Sequence, residues 1–162
     1  MSKQLYEAAK AFDKETGGLW CVAQLDGNGN RIWKFSSGQG RPGEGPQTTS
    51  GNNLDAEERL VSHFPQMIAE HGQEPRSLQM ITARTPCWEK CANKLRGLAA
   101  THNSLASILV ASWRPFKKQS QQAELNSYNA LNETVVAENY DVKLIFCHAK
   151  EISYAMLQAA GD

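Results

Sequence analysis

Apolar residues near the N-terminus recur three and four positions apart, at Leu5, Ala8, Ala9 and Phe12. This spacing predicts a helix that ends at the glycines at 17 and 18. Two apolar, aromatic runs at 19–25 and 31–37 then flank the turn-forming stretch DGNGN, which predicts a β-hairpin. Residues 38–53 are rich in glycine, proline and polar residues and predict a long loop.

From residue 54 onward, helical and strand patterns alternate. A helix is predicted from about 54 to 72, and Pro65 is expected to kink it or end it. Further helices are predicted at 88–103, 117–139 and 149–160. Strands are predicted at 76–85, 104–113 and 140–148, the second as a nearly continuous apolar run typical of a strand buried on both faces.

The predicted order of elements is α-β-β-α-β-α-β-α-β-α. A hairpin followed by strand–helix alternation predicts a three-layer α/β/α sandwich around one mixed, five-stranded sheet. The long helix between the last two strands implies a crossover connection, so those strands should be parallel. No repeat or linker divides the chain, and residues 1–162 are expected to form a single domain.

The composition, 41% hydrophobic and 21% charged, is ordinary for a globular protein. No apolar run approaches the roughly 20 residues that a membrane span needs, and the charged N-terminus does not resemble a secretory signal. A domain cut from a longer exported protein would carry no signal of its own. Four cysteines are too few for a disulfide scaffold, and Cys21 and Cys147, inside apolar runs, are expected to be buried.

Charge is balanced overall, with 17 basic and 17 acidic residues, but it is unevenly distributed. Within 75–118 the only acidic residue is Glu89. The basic residues of that segment are Arg76, Arg84, Lys90, Lys94, Arg96, Arg114, Lys117 and Lys118. A local basic surface would attract polyanions; the alternative is that these charges scatter over several solvated faces.

Two short stretches contain the candidate chemistry. Asp55 and Glu57, in DAE, lie at the start of one predicted helix, and Cys87 and Cys91, in PCWEKC, lie near the start of another. The helix dipole favours thiolates there, and helix N-termini can meet at one edge of a parallel sheet. Asp55, Cys87 and Cys91 would then supply three zinc ligands and leave a fourth position for water, with Glu57 beside it to move protons. Alternatively, the acids only stabilise a helix dipole and the cysteines only pack.

This pattern resembles the cytidine deaminase superfamily, whose signature is H-x-E or C-x-E followed by P-C-x-x-C. The element order matches over nearly the whole chain, whereas residue identity is confined to 55–57 and 85–91. The resemblance implies a zinc cofactor and hydrolytic deamination of cytosine to uracil, with Glu57 moving the protons. Two features depart from the family: Asp55 replaces His or Cys, and three residues separate the cysteines. A weakened metal site or a non-catalytic binding module therefore stays open.

The resemblance also implies substrate contacts around the metal. The backbone at Thr85 and Pro86 would lie near the departing amino group, and Trp88 would wall the base pocket. Asn53 is placed to touch a ribose or the base, although it could equally cap the helix that follows.

The stretch after the fourth strand offers stacking and phosphate chemistry. Trp113 and Phe116, with Arg114 between them, have the side chains that single-strand binding uses. The alternative is that Trp113 closes the core, as is expected of Trp20 and Trp33 on the hairpin.

The parallel ending resembles the nucleic-acid-editing branch of the superfamily, and the compact form resembles deaminase domains of bacterial toxins. We therefore expect deamination of cytosine in single- or double-stranded DNA or RNA by a monomer that acts in the cytoplasm and not at a membrane. If the domain is a toxin, an immunity protein is an expected partner and delivery as part of a secreted polypeptide is expected. The alternatives are a deaminase of free cytidine, of a nucleotide or of adenine, and an inactive binding module.

Overall fold

The computed structural model describes residues 2–16, 18–27, 31–37, 55–84, 91, 93–114 and 141–146. The helices in these residues are α1 (Lys3–Thr16), α2 (Ala56–His71) and α3 (Asn93–Thr101). The strands are β1 (Trp20–Leu25), β2 (Trp33–Ser36), β3 (Ser77–Arg84), β4 (Ser107–Arg114) and β5 (Asp141–Phe146). Their order along the chain is the predicted one, and the helices predicted at 117–139 and 149–160, like the long loop, fall outside the described residues.

The strands form one mixed sheet in the order β2-β1-β3-β4-β5. β1 pairs antiparallel with both β2 and β3, which confirms the predicted hairpin. β4 pairs parallel with β3 and with β5, as the crossover argument predicts for the last two strands. The α/β class and the mixed sheet are therefore confirmed.

Successive side chains of a strand point to opposite faces of the sheet, and both faces here carry apolar residues. One face packs against α2 and α3, and its core includes Leu78, Met80, Ile108 and Val110. The other face packs against α1, with Ile81, Ala83, Ala111 and Trp113 among its buried residues. Helices thus cover both faces of the sheet, and the intervening strands are buried from both sides.

Three residues expected in the core are there. Cys21 is fully buried, and Trp20 and Trp33 are 1% and 6% exposed. Cys147 falls outside the described residues, so its expected burial stays a prediction. In the part of the chain that is described, no helix has the length and apolar character that a membrane crossing requires.

Helix α2 continues through Pro65 to His71, as the predicted span of 54–72 requires, so of the two expected effects of the proline, a kink or an end, the end does not occur. The helix buries one stripe, which includes Leu60, Phe64 and Met67, whereas Pro65 lies on the exposed face. On that face water can satisfy the backbone carbonyl that the proline leaves without a partner. Gly72 ends the helix with a φ of 85°, its N–H donating to Ile68 O at 3.0 Å, because glycine adopts the left-handed conformation without a steric penalty.

A carboxylate fixes the end of the molecule at which α2 terminates. Asp26 has a φ of 57° and accepts hydrogen bonds from the backbone N–H groups of Arg76 and Ser77 at 2.8 and 3.0 Å. Its other oxygen lies 2.8 Å from His71 Nε2. The end of β1, the end of α2 and the start of β3 are thereby held together at one edge of the sheet.

Candidate functional site

The N-termini of α2 and α3 lie at the same edge of the sheet. Helix α2 ends at His71, beside the amino end of β3, so its first residue lies toward the carboxyl end of that strand. Helix α3 likewise ends near the amino edge, where Ala106 N–H donates to Arg76 O at 2.7 Å. The carboxyl edge of the parallel strands, the usual position of sites in α/β proteins, therefore faces two helix N-termini.

Asp55 and Cys91 meet at this edge. Cys91 Sγ donates to Asp55 Oδ2 across 3.3 Å, although the two residues are 36 positions apart in the chain. Cys91 is 2% exposed and lies two residues before the first residue of α3. The structure thus brings together two of the residues that the sequence analysis predicts as metal ligands.

The distance between these atoms fits a shared zinc ion. Zinc bonds of about 2.0 Å to oxygen and about 2.3 Å to sulfur, at tetrahedral angles, separate the two ligand atoms by about 3.5 Å. The predicted third ligand, Cys87, falls outside the described residues. Among the residues that are described, no group of three or more His, Cys, Asp or Glu side chains is placed to hold a metal.

The acidic residues that follow Asp55 are buried at the start of α2. Glu57 is 8% exposed and Glu58 is 3% exposed. Glu58 Oε2 accepts the Asp55 backbone N–H at 3.0 Å, and its Oε1 lies 3.3 Å from Lys94 Nζ on α3. Glu58 therefore fixes the backbone at Asp55 and links the two helices. The sequence analysis missed this role, although a D-x-x-E spacing at a helix start is the signature of a capping box.

Arg59 and His63 attach α2 to the edge strand β2, and the sequence analysis missed both. Arg59 is 2% exposed and its Nη1 donates to Ser36 O at 2.7 Å. The His63 ring packs edge-on against Phe35, with centroids 5.6 Å apart. Burial lowers the pKa of His63, which favours the neutral imidazole. These contacts hold α2 on the sheet one and two turns after Asp55.

Trp113 occupies the core and not the substrate site. It is 6% exposed, and its ring centroid lies 5.8 Å from that of Tyr6 and 6.1 Å from that of Trp20. Alternation along β4 places it, with Ala111, on the α1 face of the sheet, opposite the face that α2 covers. The prediction that Trp113 binds substrate is therefore corrected: the alternative, that it closes the core, is what the structure shows.

The other predicted substrate contacts stay predictions. Arg114 is the last residue of β4, at the carboxyl edge. The remaining ones fall outside the described residues: Asn53, Thr85, Pro86, Trp88 and Phe116.

Among the basic residues of segment 75–118 that the structure describes, some lie at each edge of the sheet. Arg76 lies at the amino edge, beside Asp26. Arg84 and Arg114 are Cα partners at the carboxyl ends of β3 and β4, where adjacent strands are about 4.8 Å apart. Lys94, 49% exposed, pairs with Glu58. Basic residues of the segment thus belong to the edge that holds Asp55 and Cys91.

No family model matches the chain, and no curated protein matches it either. Among solved structures, the chain is similar to the dCMP deaminase from the cyanophage S-TIM5, solved in complex with dCMP and dUMP. The sequences are 11% identical, the match covers 90% of this chain and 99% of that chain, and the TM-score is 0.47.

Proposed function

We propose that the protein is a zinc-dependent hydrolase that deaminates cytosine to uracil in DNA or RNA. The observation that supports this most directly is the 3.3 Å approach of Cys91 Sγ to Asp55 Oδ2. These are two members of the ligand set that the resemblance to cytidine deaminases implies, and they are far apart in sequence. In the proposal Cys87 completes the set.

The residues of the site have distinct tasks in this proposal. Asp55, Cys87 and Cys91 would hold a zinc ion, which supplies a site where water is acidified and oriented for attack on the base. Glu57, two residues from Asp55 and 8% exposed, would take the proton from that water and deliver it to the departing amino group. Its burial at a helix N-terminus excludes bulk water, which would otherwise compete for those protons.

A substrate with phosphate groups fits the surroundings of the site. Arg84 and Arg114 are Cα partners at the ends of neighbouring strands, so two basic residues belong to the edge that holds Asp55 and Cys91, and basic residues attract phosphates. The parallel pairing of β4 with β5 is the ending that resembles nucleic-acid-editing deaminases. With Trp113 in the core, base stacking next to the target cytosine would depend on Phe116 and Trp88.

Metal analysis combined with a deamination assay tests the proposal. The purified protein is expected to contain one zinc ion and to convert cytosine to uracil in oligonucleotides, detected by sequencing and by release of ammonia. Glu57→Gln should lower the rate about 100- to 10,000-fold, the usual contribution of a general acid–base group, with zinc retained. Glu7→Gln, on the exposed face of α1, is the matched control and should be as active as the wild type.

Other outcomes would redirect the proposal. Activity on free cytidine or dCMP but not on oligonucleotides would replace the polymer by a nucleoside or nucleotide as substrate. Bound zinc without turnover on any of these would indicate a binding module and overturn the enzyme assignment. The toxin role rests on the family resemblance, and arrest of bacterial growth on expression of the wild type, but not of Glu57→Gln, is the result it requires.

A further inference from the structure

The hydroxyl group of Ser112 is buried without a hydrogen bond. Ser112 is 0% exposed, and its Oγ has no hydrogen-bond partner among the residues that the structure describes. A buried hydroxyl without a partner lowers stability, and most such groups in folded proteins are paired. An alanine would fit the otherwise apolar run SILVASW without this penalty, so the hydroxyl needs an explanation.

Ser112 belongs to the last row on the α2 face that extends across β2, β1, β3 and β4, one step before the Arg84–Arg114 pair that ends β3 and β4. The pairing registers align Phe35 with Cys21, Cys21 with Thr82 and Thr82 with Ser112; we name these four residues the terminal row. The preceding row on this face consists of Trp33, Ala23, Met80 and Val110, all buried and apolar. In these two rows of β1 to β4, the polar side chains on this face therefore lie at its carboxyl edge.

The hydroxyls of the terminal row differ in one respect. Thr82 Oγ1 donates to Arg84 O at 2.7 Å, so the proton of Thr82 is already used within β3. The Ser112 hydroxyl has no such bond within the described residues. Ser112 is thus the member of the row whose donor and acceptor capacity is available for a ligand.

The start of α2 lies over the terminal row. His63 packs on Phe35, and Arg59 binds Ser36 O at the end of β2. Asp55 lies four residues before Arg59, about 6 Å further along the helix axis toward the carboxyl edge. The Asp55–Cys91 contact and the terminal row therefore lie at the same edge of the sheet, on the face that α2 covers, and a base near the metal would lie between them.

We propose that Ser112 binds the substrate base, its Oγ exchanging a hydrogen bond with the polar edge of the pyrimidine ring. This inference rests on the proposed function and adds a specificity residue to it. A hydroxyl both donates and accepts, and it is unpaired until the base arrives. The unpaired hydroxyl destabilises the free protein. Binding of the base supplies the missing hydrogen bond and removes this destabilisation.

Ser112→Ala, compared with two controls, tests this role. In the free protein its thermal unfolding midpoint should equal or exceed that of the wild type, because an unsatisfied buried group is removed. Its kcat/KM for cytosine deamination should fall about five- to hundredfold. Ser107→Ala, at the amino end of the same strand, should change neither quantity, and Thr82→Val should lower the midpoint because its hydroxyl is bonded in the free protein.

The outcomes separate this inference from the proposed function. A Ser112→Ala variant that is less stable and fully active would show that the hydroxyl has a structural partner, a buried water included, and would overturn the inference alone. If the wild type deaminates none of the substrates, the shift of the thermal unfolding midpoint on addition of cytidine monophosphate tests whether Ser112 binds the base. A shift present in the wild type and lost in Ser112→Ala would support Ser112 as a binding residue, and equal shifts or none would overturn it.

Discussion

Replacing Asp55 by asparagine separates its two possible roles, helix capping and metal binding. Asp55 has the extended backbone of an N-cap residue, with φ −68° and ψ 154°. Asparagine caps a helix as well as aspartate does, and the hydrogen bond that Asp55 donates to Glu58 Oε2 comes from its backbone N–H, which the substitution keeps. The free energy of unfolding of the metal-free protein should therefore change by less than about 0.5 kcal/mol.

The effect on zinc should be far larger. Structural zinc sites are worth about 10–16 kcal/mol over four ligands, or about 2.5–4 kcal/mol for each ligand. An amide is a poor substitute for a carboxylate as a zinc ligand, so Asp55→Asn should weaken zinc binding roughly a hundred- to thousandfold. A competition titration against a chromogenic chelator measures this, alongside urea unfolding in EDTA.

Glu58→Gln is the matched control for the lost negative charge. It removes a carboxylate from the same helical turn and weakens the ion pair with Lys94, which is half-exposed and worth at most about 1 kcal/mol. Its zinc affinity should stay within about threefold of the wild type because Glu58 is not a proposed ligand. If both variants bound zinc equally well, Asp55 would be only a capping residue, and the metal site would have to be sought elsewhere.

Two further predictions concern stability. Burial raises the pKa of Asp26, but hydrogen bonds from His71 and the backbone of Arg76 and Ser77 outweigh it, so the pKa lies below its ordinary value of 3.8. This stabilisation is complete above that value and is lost as the pH falls through the lower folded-state pKa. Asp26→Asn should lower the free energy of unfolding by about 1–2 kcal/mol at neutral pH. Urea titrations below about pH 4 should show a smaller difference in unfolding free energy between the variant and the wild type. A difference that does not change with pH would contradict this prediction. Trp113→Leu should lower the free energy of unfolding by about 2 kcal/mol or more. The kcat/KM of the protein that remains folded should stay within about threefold of the wild-type value. A variant that loses activity but not stability would show that Trp113 contacts the substrate.

The sheet could be predicted from the sequence because the turn-forming residues and the apolar runs indicate the same set of strands. The aromatic runs around DGNGN indicate a hairpin, and the apolar runs at β4 and β5 indicate strands covered on both sides. The span of α2 could also be predicted, but whether Pro65 ends the helix could not. Whether a proline breaks a helix depends on which face it occupies, and Pro65 lies on the exposed one.

The prediction that Trp113 binds substrate has a similar cause. In SILVASW every residue is apolar or small, so the sequence contains no alternation that assigns side chains to faces. Only the pairing with β3 and β5, which fixes Ser112 on the α2 face and Trp113 on the α1 face, distinguishes the substrate side from the core side. The sequence could predict that Asp55 and Cys91 lie at the same edge of the sheet, since both are near the start of a helix. It could not predict the distance between them.

The start of α2 is rich in negative charge, and this bears on the presence of aspartate at position 55, where the signature that the sequence resembles has histidine or cysteine. Glu57 and Glu58 are almost fully buried beside Asp55, and two thiolates would add to the negative charge. An Asp/Cys/Cys set would leave one net negative charge around Zn²⁺, which by itself acidifies a bound water less than a set containing neutral histidine would. Two helix N-termini, each equivalent to roughly half a positive charge, and Arg84 at the carboxyl end of β3 would oppose that effect. The same positive surroundings would attract the phosphates of a nucleic acid, so acidification of the water and recruitment of the substrate would share one electrostatic source. Neutralising Arg84 should on this reasoning affect both KM and the pH dependence of kcat.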